Sequence, residues 1–228
     1  MGRKKLKAVE LILDWNLWPR HEANGLDITN INRMVEALEA GVDLPPVIVN
    51  SGDYRVVDGF HRVRAHLKAF GDDATIIADV RVYESEADMF QESVEYNARH
   101  GLALTPKDRA HAILKARQFK IPYSVIAVAL GMSETKLKDF LEKRTATAPT
   151  GEKVAIPYGA SALAGKTLTE EQLHFANHTS GNLPIMHASM LINALSADGM
   201  ELDEKACTKL RELYDIIGEI LAGACCDD

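Results

Sequence analysis

Along this chain the apolar residues change rhythm near residue 84. Before it they fall in short Val/Ile-rich runs cut by turn residues; after it they recur at helical steps of three and four. "AVELILDWNLWP" has strand-like content and stops at a proline. "DITNINRMVEALEAG" places Ile28, Ile31, Met34, Val35 and Leu38 on one helical face and ends at Gly41. "LPPVIVNSGDYRVVDG" reads as two short strands around a Ser-Gly-Asp turn, a hairpin. A helix follows with Phe60, Val63, Leu67 and Phe70 facing inward, and "ATIIADVRVY" reads as another strand. Strands and helices mix without a regular βαβ rhythm, so residues 1–84 are expected to form a small α+β domain.

From residue 85 the pattern is helical. "SEADMFQESVEYNARHG" opens with Ser85 and Asp88 at capping-box spacing and closes at Gly101. "TPKDRAHAILKARQF" carries a Thr cap, Pro106 at the first helical position and Asp108 in the first turn. A two-helix unit spans 123–143, which makes 85–144 a helical region. "RTATAPTGEKVAIPYG" has the small residues and prolines of a linker. The remainder of 145–228 is expected to be helical. In its last helix, about 203–223, Ala206, Leu210, Leu213, Ile217, Ile220 and Ala224 form a stripe suited to a core or to a partner helix.

Charge sharpens this division. The net charge is −7, yet residues 1–144 are neutral and the acidic excess lies in 145–228. Within the neutral part, residues 97–144 carry 10 basic against 4 acidic side chains, a footprint that a nucleic acid can feel. No apolar run approaches the roughly 20 residues that span a bilayer. The basic start lacks an apolar signal core, and Leu6 stands where a myristoylation motif needs Ser or Thr. Three cysteines without a C-x-x-C fit a reducing cytoplasm.

Two stretches carry candidate chemistry. In "VVDGFHRVRA" a strand ends at Asp58, Gly59 turns, and a helix opens with His61 and Arg62. A helix start offers unpaired backbone N–H groups and a positive dipole end, so an anion is a natural guest. The plainer alternative is that Asp58 caps the helix and the cations are solvated. In the 123–143 unit, Ala127, Gly131 and Leu137 occupy the small, turn and apolar positions of a helix-turn-helix, and Ile126, Leu130, Met132, Phe140 and Leu141 supply its packing face. Ser133 caps the second helix and leaves Glu134, Thr135, Lys136, Lys138 and Asp139 outward. Such a helix can read a major groove, with Ser133, Thr135, Lys136, Lys138 and Lys143 as the DNA-facing candidates. An ordinary helical hairpin is the alternative.

The order of "VVDGFHRVRA", "YNARHGLALTPKDRAHAI" and a helix-turn-helix resembles the ParB-like family over roughly residues 8–144. The resemblance implies a ParB/sulfiredoxin-type N-terminal fold followed by all-α regions. It implies that Gly59, Phe60, His61 and Arg62 cradle the phosphates of a nucleoside triphosphate, CTP or ATP, with Mg²⁺ a possible companion. It places Arg20, after Pro19, and Asp58 and Asn97 at the same pocket. The chain departs from the family pattern in three ways. Tyr96 stands where a magnesium-binding Glu is usual, with Glu95 one place early. His61 replaces one of two paired arginines, and Phe60 occupies the position of sulfiredoxin's catalytic cysteine. Some members of the fold are kinases of small hydroxy-amino acids, for which Glu22 is the candidate base.

Three other features are set aside. "GASALAGKT" has five residues between its glycines where a phosphate loop has four. His174 and His178 lack a third ligand, so no metal is assigned. "RKK" at the start reads as a charge run or a phosphate-contacting arm. The expectation is a dimeric, double-stranded-DNA-binding protein of partition or transcription-regulator type, modulated by nucleotide. The alternatives are an enzyme on the same pocket (a free amino-acid kinase or nucleotide hydrolase) and a non-catalytic adaptor.

Overall fold

The computed structural model describes residues 2–21, 25–99, 103–178, 207, 208, 210, 211 and 214. Two compact units divide the chain, Met1–Asn182 and Leu183–Asp228. The five described residues of the second are helical. Most of the apolar stripe expected at 203–224 lies outside the described residues.

The first unit is α+β, built on a four-stranded mixed sheet in the order β1-β4-β2-β3. Strand β1 (Gly2–Lys7) runs antiparallel to β4 (Thr75–Arg81), which lies parallel to β2 (Val47–Asn50). β2 pairs antiparallel with β3 (Val56–Asp58) in the expected hairpin, with a register irregularity at Ile48/Val49. The period-two pleat of β2 sends its side chains to two cores. Val47 and Val49 join Val56, Phe60 and Val63 of the sheet–α2 core, whereas Ile48 joins Val57, Phe90 and Ile113 on the helical side. A strand buried on both faces needs a continuous apolar run, and "VIV" supplies it.

Helix α1 (Ile28–Glu39) packs on α2 (Phe60–Phe70) through Ile31, Leu38 and Ala65. Two residues depart from the expected inward faces: Ile28 at the first position of α1 and Phe70 at the last of α2 are exposed, because each overhangs the end of the α1–α2 contact. "AVELILDWNLWP" is not a strand. It forms two 3-10 turns, Ala8–Glu10 and Trp15–Leu17, and touches the sheet at one bridge, Ile12 with Arg55. The strand lies earlier, on the charged "GRKKLK", where pairing with β4 overrides poor strand propensity.

The helical side comprises α3 (Glu86–Arg99), α4 (Pro106–Gln118), α5 (Tyr123–Ala129) and α6 (Glu134–Arg144). The caps follow the sequence. Ser85 Oγ accepts from the Asp88 N–H at 3.2 Å, and Thr105 and Asp108 close a full capping box. Phe90 stacks on Phe119 with ring centroids 5.0 Å apart, joining α3 to the end of α4. The segment read as a linker is instead a β-hairpin of β5 (Thr145–Thr147) and β6 (Lys153–Ala155), begun immediately after α6. Its small residues let it lie close on α4, and Ala146 and Ile156 bury into a satellite core with Leu168 and Ala176 of α7 (Glu170–His178).

Candidate functional site

Gly59 fixes the geometry of the "DGFHR" turn. Its φ is +111°, and a Cβ placed there would lie 2.5 Å from Cγ1 of Val47, so the turn presses on the central strand as only glycine permits. As the N-cap of α2 it offers no side chain to the first-turn N–H groups. The first-turn N–H groups of a helix are, in general, donors suited to an anion.

The two residues beside the turn are turned toward the protein. The Arg62 guanidinium donates to the Pro45 carbonyl at 2.9 Å, to the Pro46 carbonyl and to the Asp58 carboxylate. Its fork clips the start of α2 to the segment entering β2. His61 Nε2 accepts the Asp27 N–H at 3.0 Å, and Asp27 is itself the N-cap of α1. A ring nitrogen that accepts is unprotonated, which leaves the neutral ring's proton on Nδ1. Burial, reinforced by the nearby Arg20 cation, lowers the His61 pKa to about 4. His61 is therefore a neutral pin between two helix starts. Its ring lies 5.6 Å from that of Trp18, whose buried Nε1 has no hydrogen-bond partner among the described residues.

Arg20 is 4% exposed and faces the helical side. It donates to the Ala103 carbonyl at 3.3 Å and to Asn97 Oδ1 at 3.4 Å, and pairs with Asp108 at 3.5 Å. Burial lowers its pKa, opposed by the Asp108 charge. Asn97 Nδ2 donates to the Ser93 carbonyl one turn back in α3. The charges of Arg20 and Arg62 both act on His61, and Arg20 ties the segment after Trp18 to α3 and α4. Glu22 lies outside the described residues. Tyr96 accepts from Arg81 at 3.1 Å, and Arg81 also pairs with Glu92. Among the described residues no group of three or more His, Cys, Asp or Glu converges on a metal site.

Further along the helical side, α5 and α6 meet through a turn at Gly131, φ +67°. Ala127 and Leu137 are buried where the helices cross. Ser133 Oγ accepts the Lys136 N–H at 3.3 Å, the expected cap. Ser133, Thr135, Lys136, Lys138 and Lys143 are all exposed. Lys138 is held by Glu134 at 2.6 Å one turn earlier, so its charge is partly offset on the helix itself.

Known proteins similar to this chain include two regulators and a partitioning protein. The chain is 46% identical over 74 residues to the transcriptional regulator NovG of Streptomyces niveus, covering 32% of this chain and 22% of that one. It is 33% identical over 150 residues to a streptomycin biosynthesis operon possible regulatory protein of Streptomyces griseus, covering 64% and 41%. The chain spans less than half the length of the curated relatives it matches. Two solved structures of the C-terminally truncated chromosome-partitioning protein ParB from Caulobacter crescentus align with 85% of this chain. The complex with CTP-γ-S is 17% identical with a TM-score of 0.38, covering 93% of that chain. The complex with the centromeric parS site is 15% identical with a TM-score of 0.45, covering 94%. No protein-family model matches the chain. The chain resembles the ParB-like family.

One organising residue of this chain is missed by a reading of local motifs. Asp108 is read as a cap, and it is one: its Oδ2 accepts the Thr105 N–H at 3.0 Å and the Thr105 hydroxyl at 2.9 Å. It is also fully buried, accepts the His21 N–H at 3.0 Å through Oδ1 and pairs with Arg20. The signal for that second role is the lone Arg20 after a proline, 88 positions away in a sequence that gives no hint of the contact. Among the described residues no helix is long and apolar enough to cross a membrane.

Proposed function

We propose that the chain is a DNA-binding regulator that lays α6 into the major groove and takes a nucleoside triphosphate at the start of α2. The observation that carries the DNA reading is α6 itself. It is capped at Ser133, anchored by the wholly buried Leu137, and presents Thr135, Lys136 and Lys143 outward from the basic segment. The names of the curated relatives, a transcriptional regulator and a possible regulatory protein, support it. Self-association into a dimer would present two such helices to a palindromic site.

The nucleotide reading rests on the cradle at Gly59. A phosphate there takes the free N–H groups of α2, and Arg62 reaches it by exchanging the Pro45 and Pro46 carbonyls for phosphate oxygens. That exchange unclips α2 from the segment entering β2, so binding is felt beyond the pocket.

Fluorescence anisotropy on a labelled duplex tests the first part. The expected result is affinity that falls steeply with salt, with the slope reduced by about 1 for each of Lys136→Glu and Lys143→Glu. Salt-independent binding, or no binding, refutes it. A thermal-shift panel of CTP, ATP, GTP and ADP, with and without Mg²⁺, tests the second. A rise that Arg62→Ala abolishes supports the pocket, and no rise with any nucleotide refutes it.

A further inference from the structure

A cavity of about 320 Å³ opens between the end of α4, the start of α5, one flank of α6 and the β5–β6 hairpin. It lies within the first unit and does not include the turn at Gly59. Leu114, Tyr123 and Leu141 are half-buried and form its floor. Arg117, Lys138, Lys153 and Glu142 are all exposed, so its charges stand at the mouth. Charges at a mouth suit a polyanion arriving from outside better than a small ligand enclosed within.

We propose that this cavity seats a backbone phosphate of the duplex whose major groove takes α6, held by Arg117 of α4 and Lys153 of β6. The β5–β6 hairpin is thereby a second DNA-gripping element beside α6. The proposal rests on the reading of α6 as the groove-reading helix. Lys138 supplies the continuity: it belongs to the outward face of α6 and also lines the cavity. A duplex lying against α6 therefore brings its sugar–phosphate edge past Arg117 and Lys153. Neither of these side chains makes an ion pair or a hydrogen bond among the described residues. The Arg117 guanidinium lies 5.6 Å from the Tyr123 ring centroid, a contact that orients its fork and leaves its N–H groups to donate. Lys138 is already paired with Glu134 at 2.6 Å, so the two other cations carry the attraction. Among the described residues Glu142 is the carboxylate that lines the cavity, and the neighbouring Glu152 does not line it.

The hairpin is held in place relative to α6. β5 begins at the residue after α6 ends, and the Thr145 hydroxyl donates to the Leu141 carbonyl at 2.7 Å. The Ile156 N–H, just past β6, donates to the Arg144 carbonyl at 3.0 Å. The other edge of β5 is tied as well: the Thr147 N–H donates to the Lys166 carbonyl at 2.9 Å, and the Leu168 N–H to the Thr147 carbonyl at 2.8 Å. A cation on a strand so fixed loses less freedom on binding than one on a loose linker. Phosphate contacts set register and orientation on a duplex and carry no sequence information. The hairpin accordingly positions α6 in the groove and does not read bases.

Anisotropy titrations of the full chain on a fluorescein-labelled duplex of mixed sequence, repeated over a series of salt concentrations, test the site. Arg117→Gln and Lys153→Gln should each weaken binding and reduce the salt slope by about 1, and together by about 2. Thermal midpoints should stay at the wild-type value, because both side chains are exposed. Glu142→Gln removes the opposing charge and should tighten binding. Weaker binding at an unchanged salt slope overturns the proposal, since a lost phosphate contact must release fewer counterions. The two readings fail separately. If Lys136→Glu lowers the slope while Arg117→Gln and Lys153→Gln leave it unchanged, α6 still reads DNA and the hairpin grip alone falls. If the wild-type chain binds no duplex, the reading of α6 falls and the grip falls with it.

Discussion

Replacing Asp108 by Asn is the most informative perturbation of the region that joins the segment after Trp18 to the helices. The substitution keeps the volume and one carbonyl oxygen. It removes the charge that faces Arg20 and one of the two oxygens that accept from Thr105 and His21. The two paired side chains are 5% and 0% exposed, so solvent screening offers no relief. Breaking a buried pair by removing one partner costs about 3–5 kcal/mol, because the other charge is left uncompensated. For a unit of this size about 1 kcal/mol moves the midpoint by ~2–4 °C, which gives a fall of about 6–20 °C. Urea unfolding at unchanged m-value should report the same loss. The double variant Arg20→Met/Asp108→Asn removes the buried cation as well and should regain part of it, a coupling of about 0.5–3 kcal/mol. The reasoning fails if Asp108→Asn costs less than about 1 kcal/mol, the scale of a surface pair. It fails also if the double variant loses the full sum of the singles.

Further tests address the turn, the histidines and α6. Gly59→Ala must place a Cβ against Val47 from a left-handed backbone, so it should destabilise by at least about 1–3 kcal/mol, measured by chemical denaturation. His61 and His111 have folded pKa values of about 4 against 6.5 when free, so the unfolded chain binds more protons between those values. Stability is therefore full above pH 6.5 and falls as pH drops toward 4, and His61→Gln or His111→Gln should flatten that slope in denaturation curves taken across the range. Ser133→Ala should cost about 1 kcal/mol by loss of the α6 cap. Glu134→Gln releases Lys138 and removes a negative charge from the α6 face, so duplex affinity should rise and its salt slope steepen by about 1.

Much of this architecture is legible in the sequence because it is fixed by neighbours in the chain. The caps at Ser85, Thr105 and Ser133 and the turn glycines at 59 and 131 are local chemistry, and each appears where the sequence places it. The strand at Gly2–Lys7 is not legible, since "GRKKLK" lacks alternation and is a strand only because the edge of β4 is open to it. The hairpin at 145–155 hides behind alanines, threonines and prolines that a linker would also use. At the candidate site, the residues of the turn are readable but their partners are not. Arg62 is satisfied by the Pro45 and Pro46 carbonyls, and His61 by the N-cap of another helix, contacts that no spacing rule encodes.

The charged strand has a consequence for how copies of this chain can meet. A sheet edge is a template for another strand, and among the described residues this sheet has two, at β1 and at β3, the latter already partly covered by the Ile12 bridge. The first carries Arg3, Lys4, Lys5 and Lys7, and the second is three residues long beside an irregular register. Lysine-rich and short edges both resist continuation of the sheet across an interface. Bringing two β1 strands together would set like charges opposite each other. Association through strand addition is thereby disfavoured, and with it a common route from a folded sheet to an aggregate. Copies that do pair are steered toward their helical faces, which are also the faces that would meet DNA.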